Sequence, residues 1–210
     1  MNTADLPRAW LATCRALGAR DDVAGAGARL VAAYGEPARR YHSLAHLADV
    51  LTRVDTLADV AVDLDVVRLA AWFHGAVYDP AATDNEERSA ELATEVLRRL
   101  RVAPSAVAEV ARLVRLTASH DPGPDDRDGA VLCDADLGVL ALDPEGYAAY
   151  VAAVRAEYGH LSDGAWRSGR SAVLRGLLDR PHLFATSLGR DRWEAAARAN
   201  VSAELAALGG

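Results

Sequence analysis

Apolar residues recur along nearly the whole chain at the 3.6-residue spacing of an amphipathic helix. No segment alternates apolar and polar residues in the manner of a half-buried strand. The pattern predicts helices near 5–17, 22–34, 43–60, 63–78, 84–101, 104–119, 129–141, 144–158, 163–179 and 189–208. Several carry recognisable start signals. Ser43 precedes an apolar-periodic run, Asp84 opens Asn-Glu-Glu-Arg, and Asp143-Pro144-Glu145 places proline at a first helical position. Breaks fall at Gly35-Glu-Pro37, Asp121-Pro-Gly-Pro124 and Arg180-Pro181, none long enough to read as a linker between domains. There is no internal repeat. The expectation is one compact all-α domain over residues 1–210, a bundle of nine or ten helices.

Composition narrows this picture only slightly. With 210 residues, 51% hydrophobic and 25% charged, the chain can bury a substantial core and has the balance of a folded globular protein. A net charge of −7 argues against binding a nucleic-acid duplex. All 23 basic residues are Arg, which reads as compositional bias, yet guanidinium suits phosphate well where a bidentate contact is needed. Cys14 and Cys133 are the two cysteines and form no CxxC, so neither a disulfide framework nor a thiolate zinc site is expected. The N-terminal residues lack the basic-then-apolar pattern of a secretory signal, and no apolar run approaches the roughly 20 residues that span a bilayer. A cytoplasmic location without membrane association is the expectation.

Candidate chemistry lies in the histidines and acids. His42 and His46 are four residues apart at a helix start, so they share a face that continues into core-like Val50, Val54 and Leu57. Such a pair suits a first-row metal, and it equally suits one capping and one packed histidine. His74 closes the apolar run Val66-Val-Arg-Leu-Ala-Ala-Trp-Phe, where a buried imidazole requires partners on its nitrogens. With Asp134 and Asp136 downstream, three helices could bring nitrogen and oxygen donors together, a mixture suited to Mn, Fe, Ni, Co or Zn. His120 ends a helix, where the macrodipole alone favours it. Arg39 and Arg40 could offer guanidinium to a phosphate near the histidines, or act as solvated charges. Asp84, Glu86 and Glu87 are stabilising in a first helical turn whatever else they do.

Taken together, Tyr41-His42-Ser-Leu-Ala-His46, Trp72-Phe-His74-Gly75-Ala-Val-Tyr-Asp79, Asp84-Asn-Glu-Glu-Arg-Ser-Ala90 and Asp134-Ala-Asp-Leu137 resemble the HD superfamily of metal-dependent phosphohydrolases, in particular a small bacterial branch of it. Arg155-Ala-Glu-Tyr158, Trp166 with Gly169-Arg170, and the helix bearing Asn200 extend the resemblance over roughly residues 8 to 207. It implies an HD-domain-like helical bundle with His46, His74 and Asp136 as metal ligands. His42 then resembles a general acid for the leaving oxygen, and Asp79 a carboxylate that orients the attacking water. Glu86 matches a motif position, and His120 corresponds to a histidine that some members use for substrate or a second metal.

The departure from the pattern is Gly75, which stands where the family's His-Asp doublet has its Asp. His46, His74 and Asp136 could still hold one divalent transition metal as a two-His-one-carboxylate set, with Asp79 or Glu86 as a substitute oxygen. The resemblance thus implies a metal-dependent phosphohydrolase acting on a nucleotide or another small phosphorylated metabolite. Arg40, Glu86 and His120 would contact substrate. The alternatives are a catalytically degenerate HD-fold protein that binds a small ligand or a protein partner, and an iron oxygenase, which Gly75 disfavours most.

Overall fold

The computed structural model describes residues 1–209, and its regular elements are all helical. Ten α-helices follow one another: α1 Leu6–Ala16, α2 Val23–Tyr34, α3 Leu44–Thr56, α4 Leu64–Phe73, α5 Asn85–Arg99, α6 Pro104–Leu116, α7 Arg127–Leu137, α8 Pro144–Glu157, α9 Asp163–Leu178 and α10 Ser187–Ala207. Short 3-10 turns lie at Thr3–Asp5 and Gly138–Ala141. The all-α bundle expected from the periodicity is present. No helix among the described residues is long and apolar enough to cross a membrane.

Local sequence explains most starts. Side chains of Asp22, Asp63, Asp126, Asp143, Ser162 and Thr186 each accept a backbone N–H from the first turn of the helix they precede, and Pro104 and Pro144 occupy first helical positions. Ser43 and Asp84 sit at the expected N-cap positions, but their side chains make no capping bond.

Four helices stop earlier than the periodicity implies: α6 ends at Leu116, α7 passes into the 3-10 turn after Leu137, and α3 and α4 are cut short by turns of their own. The segment expected as 43–60 ends at Thr56, after which residues 57–60 close a turn with Val60 N–H donating to the Leu57 carbonyl. The segment expected as 63–78 ends at Phe73. There the Tyr34 hydroxyl accepts the Gly75 N–H at 3.0 Å and donates to the Trp72 carbonyl at 3.3 Å. Arg39 donates to the Gly75 and Ala76 carbonyls. Long-range side chains have replaced the next helical turn, so apolar Ala76 and Val77 continue the pattern without continuing the helix.

The larger apolar cluster gathers α1 through α7 around α4, seven of whose ten residues are buried. Each fully buried Leu or Val there contributes about 1.5–3 kcal/mol relative to its exposed state. Trp10 meets Trp72 edge-on at 5.3 Å between ring centroids, and Phe73 at 6.0 Å. Gly27 allows this approach, because a Cβ at residue 27 would lie 2.4 Å from the Trp10 ring. A smaller cluster unites Tyr147, Leu174, Phe184, Ala197 and Val201 from α8, α9, α10 and the segment before α10, together with the Gly138–Ala141 turn. The candidate site lies where the two clusters meet.

Candidate metal centre

Four elements deliver the central side chains. His46 is in the first turn of α3, His74 caps the C-terminus of α4, Asp136 is in the last turn of α7, and His120 follows α6. His46 Nε2 lies 2.9 Å from His74 Nε2 and 3.3 Å from Asp136 Oδ1. His74 Nε2 is 3.6 Å from the same oxygen. Ligand atoms about 2.1 Å from one ion lie about 2.8–3.4 Å apart at adjacent corners of an octahedron or tetrahedron. His46, His74 and Asp136 therefore form a group whose spacing suits a single divalent cation.

The protonation pattern fits the same cation. His74 Nδ1 is 2.7 Å from the Ala71 carbonyl, which can only accept, so Nδ1 carries a proton and Nε2 is the nitrogen turned toward the group. Burial lowers the His46 pKa to about 4, against the opposing effect of Asp136, so this ring is neutral near pH 7. Burial would raise the Asp136 carboxyl, but the surrounding His74, His120 and His46 hold it well below the usual carboxylate range. Two imidazole nitrogens and one carboxylate facing one another within 3.6 Å form a mixed nitrogen and oxygen donor set of the kind a divalent cation takes.

His120 extends the cluster, with Nε2 2.8 Å from Asp136 Oδ2. It adopts a left-handed backbone conformation (φ 49°), which costs a non-glycine residue about 1–2 kcal/mol. Arg180 holds it there by donating to the Ser119 and His120 carbonyls at 2.8 and 2.9 Å. The dipole explanation for this histidine is thus incomplete, since its ring is aimed at the ligand carboxylate. Asp134 turns away from the cluster. Its carboxylate accepts from the Ala185 and Thr186 amides and the Thr186 hydroxyl, tying α7 to the start of α10.

His42 precedes α3, in the turn before Ser43, rather than sharing the helix with His46; the rings still meet at 5.7 Å. Its Nδ1 lies 2.7 Å from Glu157 Oε2, and its ring stacks on Tyr78 at 4.0 Å. Glu157 Oε2 also accepts the Tyr78 hydroxyl, while Oε1 accepts the backbone amides of Arg40, Tyr41 and His42. Burial would raise the Glu157 carboxyl, but these donors, His42 foremost, hold it at about 2. An ionised partner fixes the proton on His42 Nδ1. Nε2 has no hydrogen-bond partner among the described residues.

Glu157 lies in the Arg155-Ala-Glu-Tyr158 match, which carries no assigned role at the site, and one local signal points to it. An acid in the last turn of a helix is disfavoured by the macrodipole, so its presence there calls for another partner. Arg170, a second family-matching position, pairs with Glu204 at 2.8 Å rather than with Glu157, and reaches the Tyr150 hydroxyl at 3.2 Å.

The remaining predicted residues separate. Glu86 lines the small chamber, about 110 Å³, that also touches His42, His74, His120 and Asp136. Asp79 is exposed; its carboxylate accepts the Ala81 amide in a local turn, and the structure does not bring it to the metal group. The exposed Arg40 contributes its backbone amide to Glu157. Arg39, by contrast, is buried and bound to backbone carbonyls, so neither guanidinium is presented to the ligand set.

Gly75 has a steric explanation. A Cβ at this position would sit 3.3 Å from the Tyr34 hydroxyl and 3.4 Å from its ring. Tyr34 is fully buried and hydrogen-bonded in both directions, so a side chain at residue 75 presses on a ring that must shift by a few tenths of an ångström to admit it. Gly75→Asp is expected to lose about 2–3 kcal/mol through overpacking and burial of a carboxylate, lowering Tm by roughly 5–10 °C without raising metal content. Calorimetry with elemental analysis checks this; a stable variant with added metal would show that Tyr34 moves aside.

No family model matches the chain, nor does any curated protein or solved structure.

Proposed function

We propose that this protein is a metal-dependent phosphohydrolase of the HD type, acting on a nucleotide or another small phosphorylated metabolite. The observation that carries the reading is the His46–His74–Asp136 group, whose spacing and mixed nitrogen and oxygen donors match one divalent transition metal such as Mn, Fe, Ni, Co or Zn. When bound, such an ion supplies Lewis acidity toward a phosphoryl oxygen and makes water more acidic.

The other residues support hydrolysis by position. Glu157 orients His42 and leaves Nε2 as the nitrogen that exchanges a proton with the leaving oxygen. Tyr78 stacks on that ring and restricts its rotation. His120, held by Arg180, donates from Nε2 to the second oxygen of Asp136 and lines the adjoining cavity. Arg170 lines the same cavity with its guanidinium anchored on Glu204.

Protein purified without chelator is expected to carry close to one transition metal per chain. In Mn, Ni or Co it is expected to cleave at least one member of a panel of nucleotides and other phosphate esters. Absence of metal, with no gain on adding those ions, would sink the reading. Stoichiometric metal without turnover would favour the ligand-binding alternative, for which the missing side chain at Gly75 is the motivating observation.

A further inference from the structure

The space around His42 and His120 is not a single pocket. Two cavities run from it in different directions. One, about 420 Å³, lies between the end of α6, the Gly138–Ala141 turn and α9, and reaches Leu137, Leu140, Gly176, Leu177 and Arg180. The other, about 530 Å³, lies between the C-terminal end of α8 and the start of α9, and reaches Tyr158, Leu161, Ala165, Trp166 and Gly169. Both include Tyr41, His42, His120, Tyr150, Arg170 and Val173, so they are two arms meeting at the proton-transfer histidine. The small chamber that exposes His74 and Asp136 opens at the same junction through His42 and His120.

Resting on the phosphohydrolase reading, we propose that the substrate is a phosphodiester, with phosphorus at the junction and one ring-sized substituent in each arm. Each arm has the volume of a small-molecule site. A phosphomonoester has one substituent and would leave the other arm to water, with its apolar lining unused. Tyr158 and Trp166, 5.8 Å apart and tilted at 39°, give the second arm an aromatic wall against which a planar group packs.

Charge at the junction supports the same choice. Arg170 is largely neutralised by Glu204, both terminal nitrogens of Arg180 are engaged by carbonyls, and Glu86 adds an acid to the rim. That environment matches the single charge of a diester better than the two charges of a monoester. Hydrolysis consumes one water, whose oxygen forms the new bond to phosphorus as the ester P–O bond in one arm breaks. The departing oxygen keeps the electron pair and takes a proton through His42, giving a phosphomonoester and an alcohol or phenol.

Gly169 and Gly176 offer a direct test, one in each arm. A Cβ at either meets nothing within 4 Å, so a larger side chain enters the cavity rather than the core. Titration calorimetry with diphenyl phosphate and phenyl phosphate reads binding without turnover on metal-stripped protein, and is repeated with Mn while any phenol released is assayed separately. The diester is expected to bind at least about tenfold more tightly than the monoester, a difference of about 1.4 kcal/mol. Gly169→Phe and Gly176→Phe are each expected to weaken the diester at least tenfold, while only one of them weakens the monoester. Equal binding of the two esters by the wild-type protein, no binding of either, or variants that leave the diester unaffected would overturn the proposal. The wild-type comparison stands even if a variant folds poorly. Metal uptake, measured separately, distinguishes the failures: a protein that takes up no Mn, Ni or Co yet prefers the diester refutes the phosphohydrolase reading alone. A metal-loaded protein indifferent to the second substituent refutes the diester alone.

Discussion

Asp136→Ala is expected to lower affinity for Mn, Ni or Co by at least about 100-fold, because loss of an outer-shell partner alone costs 10–100-fold and Asp136 stands within the ligand set. The carboxylate is the one negative group in that set, with Oδ1 3.3 Å from His46 Nε2 and Oδ2 2.8 Å from His120 Nε2. Without it, two imidazoles remain, and His120 loses the acceptor for its Nε2. Metal content after dialysis, followed by competition titration against a chelator of known affinity, measures the effect. A variant that retains wild-type metal content would place the ion elsewhere and remove the central support for hydrolytic chemistry.

The second large effect is on stability. Glu157→Ala is expected to cost about 3–5 kcal/mol at pH 7, because it strands three backbone amides, a tyrosine hydroxyl and a histidine N–H at once. The carboxyl sits at about 2 in the folded protein against an ordinary 4.5, a difference equivalent to about 3 kcal/mol. A depressed carboxyl stabilises the fold fully above its unfolded value. That contribution therefore declines as pH falls from about 4.5 and is gone below about 2. Wild-type stability should fall steeply across this interval, whereas the variant, already lacking the contribution, should show a shallower slope. Urea melts at several pH values read both slopes. Parallel slopes would mean that Glu157 is not the group responsible.

Ten helices were legible from periodicity because their apolar faces are long and regular. The ends that failed did so for reasons a local window does not contain. α4 stops at Phe73 because Tyr34 and Arg39, more than thirty residues upstream, take over its terminal backbone groups. His46, His74 and Asp136 were readable through the combined motifs, and the structure brings them within 3.6 Å. Asp79 shared a motif with His74, but the chain turns away after the helix, and a carboxylate one residue before proline meets its own local amide first. Arg40 carries a charge that suits phosphate, whereas its contact with the site is through its backbone amide. Glu157 acts across 115 residues of sequence on His42, a partnership no spacing rule reaches.

The two apolar clusters divide the molecule in a way that separates what can vary from what cannot. The three candidate metal ligands sit on or at the ends of α3, α4 and α7, helices of the larger cluster, while much of the wall that a ligand would touch is carried by α8 and α9. The halves are joined by Trp193, which packs against both clusters, and by polar ties: Glu157 to the 40–42 amides, Arg180 to the end of α6, and Asp134 to the start of α10. Exchanges at the groove-facing positions of α9 therefore reshape the cavity while leaving the packing around α4 untouched. A lineage could drift in what it accepts with little risk to its fold, provided those few acids and arginines stayed in place.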